Sequence, residues 1–163
     1  MNKKFLLLDR DGVINVERKN YVLNWAEFRF KNDFINKNFN NKIIQEMWDI
    51  MKSEYISKII VLDLFDGVET DLKEKVILNN KKDLMMYSYR VAGTVGLMMS
   101  KILKVEDKNA LRGAVNLGIA MQFTNIARDI VEDKIRNREY IGHNFSSLKE
   151  IINDSEILYD RSF

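Results

Sequence analysis

The stretch MQFTNIARDIVEDKIR (residues 121–136) contains two aspartates, Asp129 and Asp133, four positions apart and no glycine or proline. This composition predicts a helix. At 100° per residue, the side chains of Gln122, Asn125, Asp129 and Asp133 fall within a sector of about 80° on a regular helix. Carboxylates and carboxamides are therefore expected on one helical face.

The same stripe continues towards the amino terminus through Gly118 and Ala114, which have almost no side chain. Small residues leave room beside a helix. A helix with an acidic end and a hollow apolar end suits a ligand with a charged head and a long hydrocarbon tail.

Two carboxylates one helical turn apart repel each other by a few tenths of a kcal/mol. A cation would remove this repulsion, and Mg²⁺ is expected because it commonly bridges one or two carboxylates to substrate phosphates, with Mn²⁺ as the alternative ion. Basic residues that could hold diphosphate oxygens surround the pair, namely Arg128, Lys134, Arg136 and Arg138. An ordinary solvated acidic pair is the alternative, and spacing alone favours it.

Composition limits the remaining possibilities. The 163 residues are 46% hydrophobic and 31% charged, as in a globular domain. The net charge of +2 is too small to indicate a nucleic-acid partner. Without cysteine and with one histidine, His143, any metal must be held mainly by oxygen. We expect a cytoplasmic protein, since neither a signal peptide nor a transmembrane run is present, and peripheral membrane association remains open.

The apolar spacing predicts a mainly helical chain. Helices are expected over 43–55, 81–103 and 109–133, and another is expected to start near Ser147, be capped with Glu150 and continue beyond the last residue. The segment 56–68 fits either a strand or a buried helix, and helix is preferred. Absence of proline favours long helices.

The helix over 81–103 contains two interior glycines, Gly93 and Gly96, each costing about 1 kcal/mol relative to alanine. Tyr87, Val91 and Val95 lie along one stripe of the same helix. The glycines would permit either close helix packing or a bend that opens a cavity, and both alternatives stay open.

Two segments, YSYRVAGTVGLMM (87–99) and LGIAMQFTNIARDIVED (117–133), followed by REYI (138–141), resemble the squalene and phytoene synthase family, specifically the bacterial phytoene synthases. LFDGVETDL (64–72) also resembles a family segment. The resemblance covers roughly residues 40–163.

The resemblance implies part of an all-helical isoprenoid synthase bundle that joins two molecules of geranylgeranyl diphosphate head to head. Asp129 and Asp133 match the second aspartate-rich, magnesium-binding motif, with Asn125 and Gln122 beside it. Arg128 would assist with diphosphate. Positions that match the lining of the prenyl pocket are Tyr87, Val91, Val95, Gly96, Ala114 and Gly118. The family's first aspartate-rich motif has no counterpart near the amino terminus.

The amino-terminal FLLLDRDGVIN (5–15) resembles instead the first motif of haloacid dehalogenase-like phosphatases. A short strand over 5–8 would deliver Asp9 as nucleophile and Asp11 as acid and base. The later motifs of that family have no convincing counterpart.

The sequence therefore predicts a phosphatase-like segment over 1–32, a linker over 33–42 and a truncated helical domain over 43–163. Three functions follow: an incomplete or inactive phytoene synthase-like prenyltransferase, which is preferred; a phosphatase acting on a sugar or histidinol phosphate; and a helical remnant without catalysis.

Overall fold

The computed structural model describes residues 30–37, 40, 42–141 and 145–163. The predicted strand over 5–8 and its aspartates, Asp9 and Asp11, lie outside the described residues. The chain divides into two compact units, which meet in the sequence between Ile56 and Ser57. This boundary falls within residues 43–163, for which the sequence predicts one helical domain.

The described part of the first unit contains two helices, α1 (Phe30–Ile35) and α2 (Lys42–Ser53). The aromatic rings of Phe34 and Trp48 stack with their centroids 5.0 Å apart. The Trp48 indole also donates a hydrogen bond of 3.2 Å to the Phe34 carbonyl oxygen. The apolar residues of α2 that are buried are Ile44, Met47 and Met51, which have the one-face spacing predicted from the sequence.

The second unit is mainly helical. Its helices are α3 (Lys58–Asp71), α4 (Lys81–Ser88), α5 (Thr94–Ile102), α6 (Lys108–Arg128), α7 (Ile130–Ile135) and α8 (Phe145–Asp160). A π-helical turn, Tyr89–Gly93, joins α4 directly to α5. Two short strands, β1 (Val76–Ile77) and β2 (Arg138–Glu139), pair in parallel, with Val76 opposite Arg138. The mainly α fold class predicted from the sequence is confirmed.

Several boundaries depart from the sequence prediction. The helix expected over 109–133 bends at Asp129, where the backbone has φ −100° and ψ 14°. The helix expected over 81–103 contains the π-helical turn. The ambiguous segment 56–68 is helical, as preferred, but only from Lys58 onward, where α3 begins. Helix α8 begins at Phe145, so the predicted capping pair Ser147 and Glu150 lies inside the helix rather than at its start.

Helix α6 lies at the centre of the second unit and packs against α5, α8 and the π-helical turn. Its buried residues recur every three or four positions and include Ile119, Phe123 and Ile126. The buried core also includes residues from the loops and neighbouring helices, namely Val76, Leu84, Tyr87, Tyr140, Ile141, Ile151 and Leu158. Among the described residues, no helix is both long and apolar enough to span a bilayer.

The parallel β1–β2 ladder brings together two segments that are distant in the sequence. The Val76 amide donates to the Asn137 carbonyl oxygen over 3.0 Å, and the Leu78 amide donates to that of Glu139 over 3.0 Å. These bonds hold the segment after α7 beside the segment before α4. As a result, Tyr140 lies next to Tyr87, although the two are 53 residues apart in the sequence.

Candidate active site

The acidic pair lies at the junction of α6 and α7. The Asp129 amide donates to the Asn125 carbonyl oxygen over 2.9 Å, and the Asp133 amide donates to that of Asp129 over 2.8 Å. The helical i to i+4 bonding therefore continues through the bend. Asn125, Asp129 and Asp133 occupy successive turns.

The predicted stripe lies at the edge between the buried and exposed faces of the α6–α7 segment. Its four members are all partly exposed, namely Gln122, Asn125, Asp129 and Asp133. Phe123 and Ile126 beside them are buried, whereas Thr124 and Arg128 are exposed. The polar groups are thus anchored by the core and still accessible to solvent.

Arg128 binds the carboxylate of Asp129 with both arms of its guanidinium. The distances are 2.6 Å from Nε to Oδ1 and 2.6 Å from Nη2 to Oδ2. These charge-assisted hydrogen bonds hold the pKa of the Asp129 carboxyl below its usual value. Asp129 is therefore expected to be fully ionised at neutral pH.

Asp133 has the opposite electrostatic environment. Partial burial raises the pKa of its carboxyl, and the negative charge of Asp129 raises it further, against the opposing effect of Arg138 and Arg136. The Asp133 side chain also lines a small cavity of about 10 Å³ together with Arg138 and Tyr140. This cavity places Asp133 beside Arg138 and Tyr140 of the second part of the site.

The second part is a hydrogen-bonded phenol cluster, formed by Asp71, Tyr87, Arg138 and Tyr140. The Tyr87 hydroxyl lies 3.0 and 3.1 Å from the two carboxylate oxygens of Asp71. Tyr140 donates to the same carboxylate over 2.9 Å, and the two hydroxyls are 3.2 Å apart. The two phenol rings stack with centroids 4.9 Å apart.

Arg138 ties this cluster to the end of α3. Its Nη2 donates to the backbone carbonyl oxygen of Asp71 over 2.6 Å, and its Nε lies 3.8 Å from the Asp71 carboxylate. The guanidinium partly neutralises a carboxylate whose side chain is only 20% exposed. A buried charge needs such a partner because its desolvation is unfavourable.

Both phenols of the cluster are held in the neutral form. Burial raises the pKa of the Tyr87 hydroxyl far above its usual value, and the negative charge of Asp71 adds to the shift. The pKa of Tyr140 is raised by the same two causes, burial first and Asp71 second. The cluster therefore presents protonated hydroxyl groups over the physiological pH range.

The π-helical turn beside Tyr87 is held by the acidic face of α3. The Tyr89 hydroxyl donates to Asp63 over 3.1 Å, and Arg90 lies 3.7 Å from Asp66. Single π-helical turns are rare and occur frequently at functional sites. Here the turn immediately follows the helix that carries Tyr87.

The hollow expected beside Gly118 and Ala114 is filled by neighbouring backbone, and at Gly96 the structure takes the close-packing alternative. A Cβ atom added at Gly118 would lie 2.5 Å from the Ala92 carbonyl oxygen, and one added at Gly96 would overlap the Ala114 carbonyl oxygen. The backbone of the facing helix fills this space, so these glycines permit close helix packing.

The remaining residues that were matched to the prenyl pocket differ in exposure. Val91 is half-buried and packs against the core of the second unit, Ala114 is half-buried, and the Val95 side chain is 40% exposed. Tyr87 is buried. The assignment of these residues to a prenyl pocket stays a prediction.

The four basic residues expected around the acidic pair are engaged differently. Arg128 binds Asp129, while Arg136 pairs with Glu132 over 2.8 Å on the solvent side. Arg138 binds Asp71, and Lys134 is exposed. The structure therefore brings Arg128 and Arg138 to the site, one in each part of it.

Sequence reasoning missed Asp71 and Tyr140, and it placed Arg138 near diphosphate oxygens rather than on Asp71. LFDGVETDL and REYI were matched to the family as segments, but neither Asp71 nor Tyr140 was given a role. An acidic residue at the end of α3 and a tyrosine after β2 have no shared periodicity. Their relation becomes visible only when the β1–β2 ladder pairs the two segments.

The described residues include no group of three or more histidine or acidic side chains arranged to hold a metal ion. The carboxylates of Asp129 and Asp133 and the Asn125 amide are the candidate oxygen ligands. This donor set does not form a complete protein cage.

Comparison with known proteins identifies relatives. The chain is 41% identical over 86 residues to a phytoene synthase from Pseudescherichia vulneris, a match that covers 53% of this chain and 28% of the relative. It is 39% identical over 93 residues to a 15-cis-phytoene synthase from Pantoea ananas, covering 57% and 30% of the two chains. It is 38% identical over 107 residues to the chloroplastic phytoene synthase 1 of Zea mays, covering 59% and 26%. The matches thus span less than a third of the length of these relatives.

The sequence model of the squalene/phytoene synthase family matches residues 9–151. This match begins within the amino-terminal segment and includes both parts of the candidate site. It spans most of the chain, and the recognition made from the two motif segments is confirmed. The chain therefore belongs to the squalene/phytoene synthase family.

Proposed function

We propose that this chain forms the part of a phytoene synthase-like prenyltransferase site that binds the metal-bound diphosphate of geranylgeranyl diphosphate. The observation that carries the proposal is the pair Asp129 and Asp133, one helical turn apart, with Asn125 on the preceding turn. The relatives with matching segments are phytoene synthases by name, which supports the same substrate class here.

The candidate oxygen ligands fit Mg²⁺ if diphosphate supplies the rest of its coordination. Mg²⁺ keeps several waters and is usually bound by one or two carboxylates together with substrate phosphates, rather than by a cage made only of protein groups. Asp129 and Asp133 supply two carboxylates, and the amide oxygen of Asn125 is a further candidate. This set suits an ion that arrives with diphosphate.

The bound ion would neutralise the charge that develops on a departing diphosphate. The chain's own groups have separate tasks. Arg128, exposed beside Asp129, has the planar fork that binds phosphate oxygens in pairs. Asn125 and Gln122 are neutral and can orient water or diphosphate without adding charge.

The phenol cluster supports a different part of the reaction. Protonated Tyr87 and Tyr140 can line an apolar cavity without placing a bare anion beside a carbocation. Their hydroxyls hold the Asp71 carboxylate in place. We infer that the cluster keeps a polar but neutral wall close to the acidic pair.

Binding of geranylgeranyl diphosphate tests the proposal. Calorimetry on the full chain is expected to detect binding with Mg²⁺ and none with excess chelator. Asp133→Asn should weaken binding at least about tenfold, as expected for loss of a metal ligand. The matched control is Asp160→Asn, which removes an exposed carboxylate at the end of α8. Equal binding by both variants would overturn the proposal.

Turnover gives a second test. The chain has no counterpart of the first aspartate-rich motif near its amino terminus. We expect it to form little or no phytoene alone. Phytoene formed in a host that supplies geranylgeranyl diphosphate, and lost with Asp129→Ala, would show that the missing motif is dispensable.

A further inference from the structure

Arg128 binds both carboxylate oxygens of Asp129 with its guanidinium. Two bonds of 2.6 Å, one to each oxygen, form a parallel fork between neighbouring residues. The Arg128 side chain is 68% exposed and that of Asp129 is 31% exposed. The pair therefore lies at the surface, where its partners can exchange.

This contact has two consequences for a cation approaching Asp129. The guanidinium takes lone pairs that a metal ion would otherwise use. It also adds a positive charge beside the carboxylate, and like charges in contact repel even under strong solvent screening. A bare cation therefore meets a site that is already neutralised.

A metal ion that carries diphosphate meets a different situation. Arginine binds phosphate oxygens with the same two-pronged geometry that it uses for carboxylates. If the guanidinium moves from Asp129 to diphosphate, it exchanges one bidentate partner for another. Since the bonds gained on diphosphate have the same bidentate form as those given up on Asp129, this exchange has a small energetic cost.

We propose that Arg128 senses the substrate: it holds Asp129 closed to free divalent cations and releases it when its guanidinium transfers to diphosphate. This inference rests on the proposed function, because it assigns the acidic pair to metal binding. Divalent cation and diphosphate would then bind with positive coupling, each raising the affinity for the other.

The other arginines of the segment are less suited to this role. Arg136 is bonded to Glu132 over 2.8 Å, and Arg138 is bonded to the carbonyl oxygen of Asp71. Arg128, by contrast, binds both carboxylate oxygens of Asp129. Arg128 is the arginine whose transfer would expose a carboxylate of that pair.

Manganese binding followed by electron paramagnetic resonance tests the inference. Free Mn²⁺ is titrated into the full chain, first alone and then with inorganic diphosphate. We compare the wild type with Arg128→Gln, which removes the fork and its charge. Arg112→Gln is the matched control, since Arg112 is exposed near the start of the same helix.

Arg128→Gln is expected to bind Mn²⁺ alone about three- to tenfold more tightly, the effect of removing one exposed unit charge under screening close to that of bulk water. In this variant, inorganic diphosphate should raise the affinity for Mn²⁺ by a factor at least about tenfold smaller than in the wild type. Arg112→Gln should alter neither value by more than about twofold, because the charge that it removes is distant and screened.

The outcomes separate the two proposals. If Arg128→Gln and Arg112→Gln change Mn²⁺ binding equally, the sensing role is wrong while metal binding stands. If Asp133→Asn binds Mn²⁺ with diphosphate as well as the wild type does, the proposed function itself fails. Opposite changes in the two affinities of Arg128→Gln support the inference, since a purely structural role would lower both.

Discussion

Two carboxylate sites in the second unit are built in opposite ways. Asp129 and Asp133 lie at the edge of a helix, partly exposed, and one of them is bound by a neighbouring surface arginine. Asp71 is enclosed by the hydroxyls of Tyr87 and Tyr140 and by a long-range arginine. The first site can exchange partners, whereas the second is fixed by its surroundings.

The difference indicates a division of tasks. A group that binds a metal and a substrate must keep coordination positions available, so its own partners should be weak. A group that shapes the wall of a site must keep its geometry, so its partners should be buried and numerous. Stability measurements can distinguish these two kinds of carboxylate.

The largest expected effect is a loss of stability in Asp71→Ala. Two buried hydroxyls lose a charged acceptor, and Arg138 loses its carboxylate partner. A lost hydrogen bond to a charged group costs about 1.5–3 kcal/mol, and the two hydroxyls can still bond each other, so we expect a loss of about 3 kcal/mol. Urea unfolding measures this free energy.

The control for this experiment is Asp160→Ala, which removes an exposed carboxylate from α8. A surface change of this kind should alter stability by no more than about 0.5 kcal/mol. If the two variants lose equal stability, Asp71 is not held more firmly than a surface residue.

Alkaline pH should destabilise the protein through the phenol cluster. The pKa values of Tyr87 and Tyr140 are raised in the folded state, whereas an unfolded tyrosine ionises near pH 10. The stabilising contribution is therefore complete below pH 10 and is lost as the pH rises above it. Each phenol that stays neutral in the folded state should contribute a loss of about 1.4 kcal/mol per pH unit.

Unfolding curves between pH 9 and 12 test this slope, with the ultraviolet absorbance of tyrosinate as an independent measure of ionisation. Tyr87→Phe should make the slope shallower. Tyr55→Phe is the control, because the Tyr55 side chain is 86% exposed. Parallel curves for Tyr87→Phe and the wild type would contradict the assignment.

A double-mutant cycle on Tyr87→Phe and Tyr140→Phe sharpens the description of the cluster. Residues that share one hydrogen-bonding partner couple, and we expect a coupling energy of about 1 kcal/mol. The measurement is the free energy of unfolding of the wild type, both single variants and the double variant. Strict additivity would mean that the two hydroxyls bind Asp71 independently.

The smallest effect is expected at Asp133, and its sign is opposite to that at Asp71. Because burial and the charge of Asp129 raise the pKa of Asp133, its ionised carboxylate is less favourable in the folded protein than in the unfolded chain. Asp133→Asn should therefore leave stability unchanged or raise it by up to about 0.5 kcal/mol after allowance for solvent screening. Thermal unfolding at pH 7 measures this stability. A clear loss would show that Asp133, like Asp71, is a carboxylate fixed by its surroundings.

Much of the fold could be predicted from periodicity. The apolar spacing of α2 and the long pattern of α6 identify helices, because residues three and four apart share a face. The bend at Asp129 was not predictable, since neither glycine nor proline is present there. The β1–β2 ladder was also missed, because two-residue strands have no periodic pattern.

The candidate site was predictable only in part, because periodicity relates only residues that are close in the sequence. Asp129 and Asp133 are four residues apart, so a helical wheel brings them together. Asp71 and Tyr140 are 69 residues apart, and only tertiary structure brings them into contact. The hollow expected beside Gly118 was wrong because the wheel describes one helix and not its neighbour.

The long separation within the phenol cluster has a consequence for biosynthesis. The β1–β2 ladder joins residue 76 to residue 138, so the cluster cannot form while the intervening chain is still inside the ribosome. Contacts between residues this far apart also tend to form slowly during folding. A nascent chain would therefore expose Asp71 with one phenol partner until Tyr140 emerges.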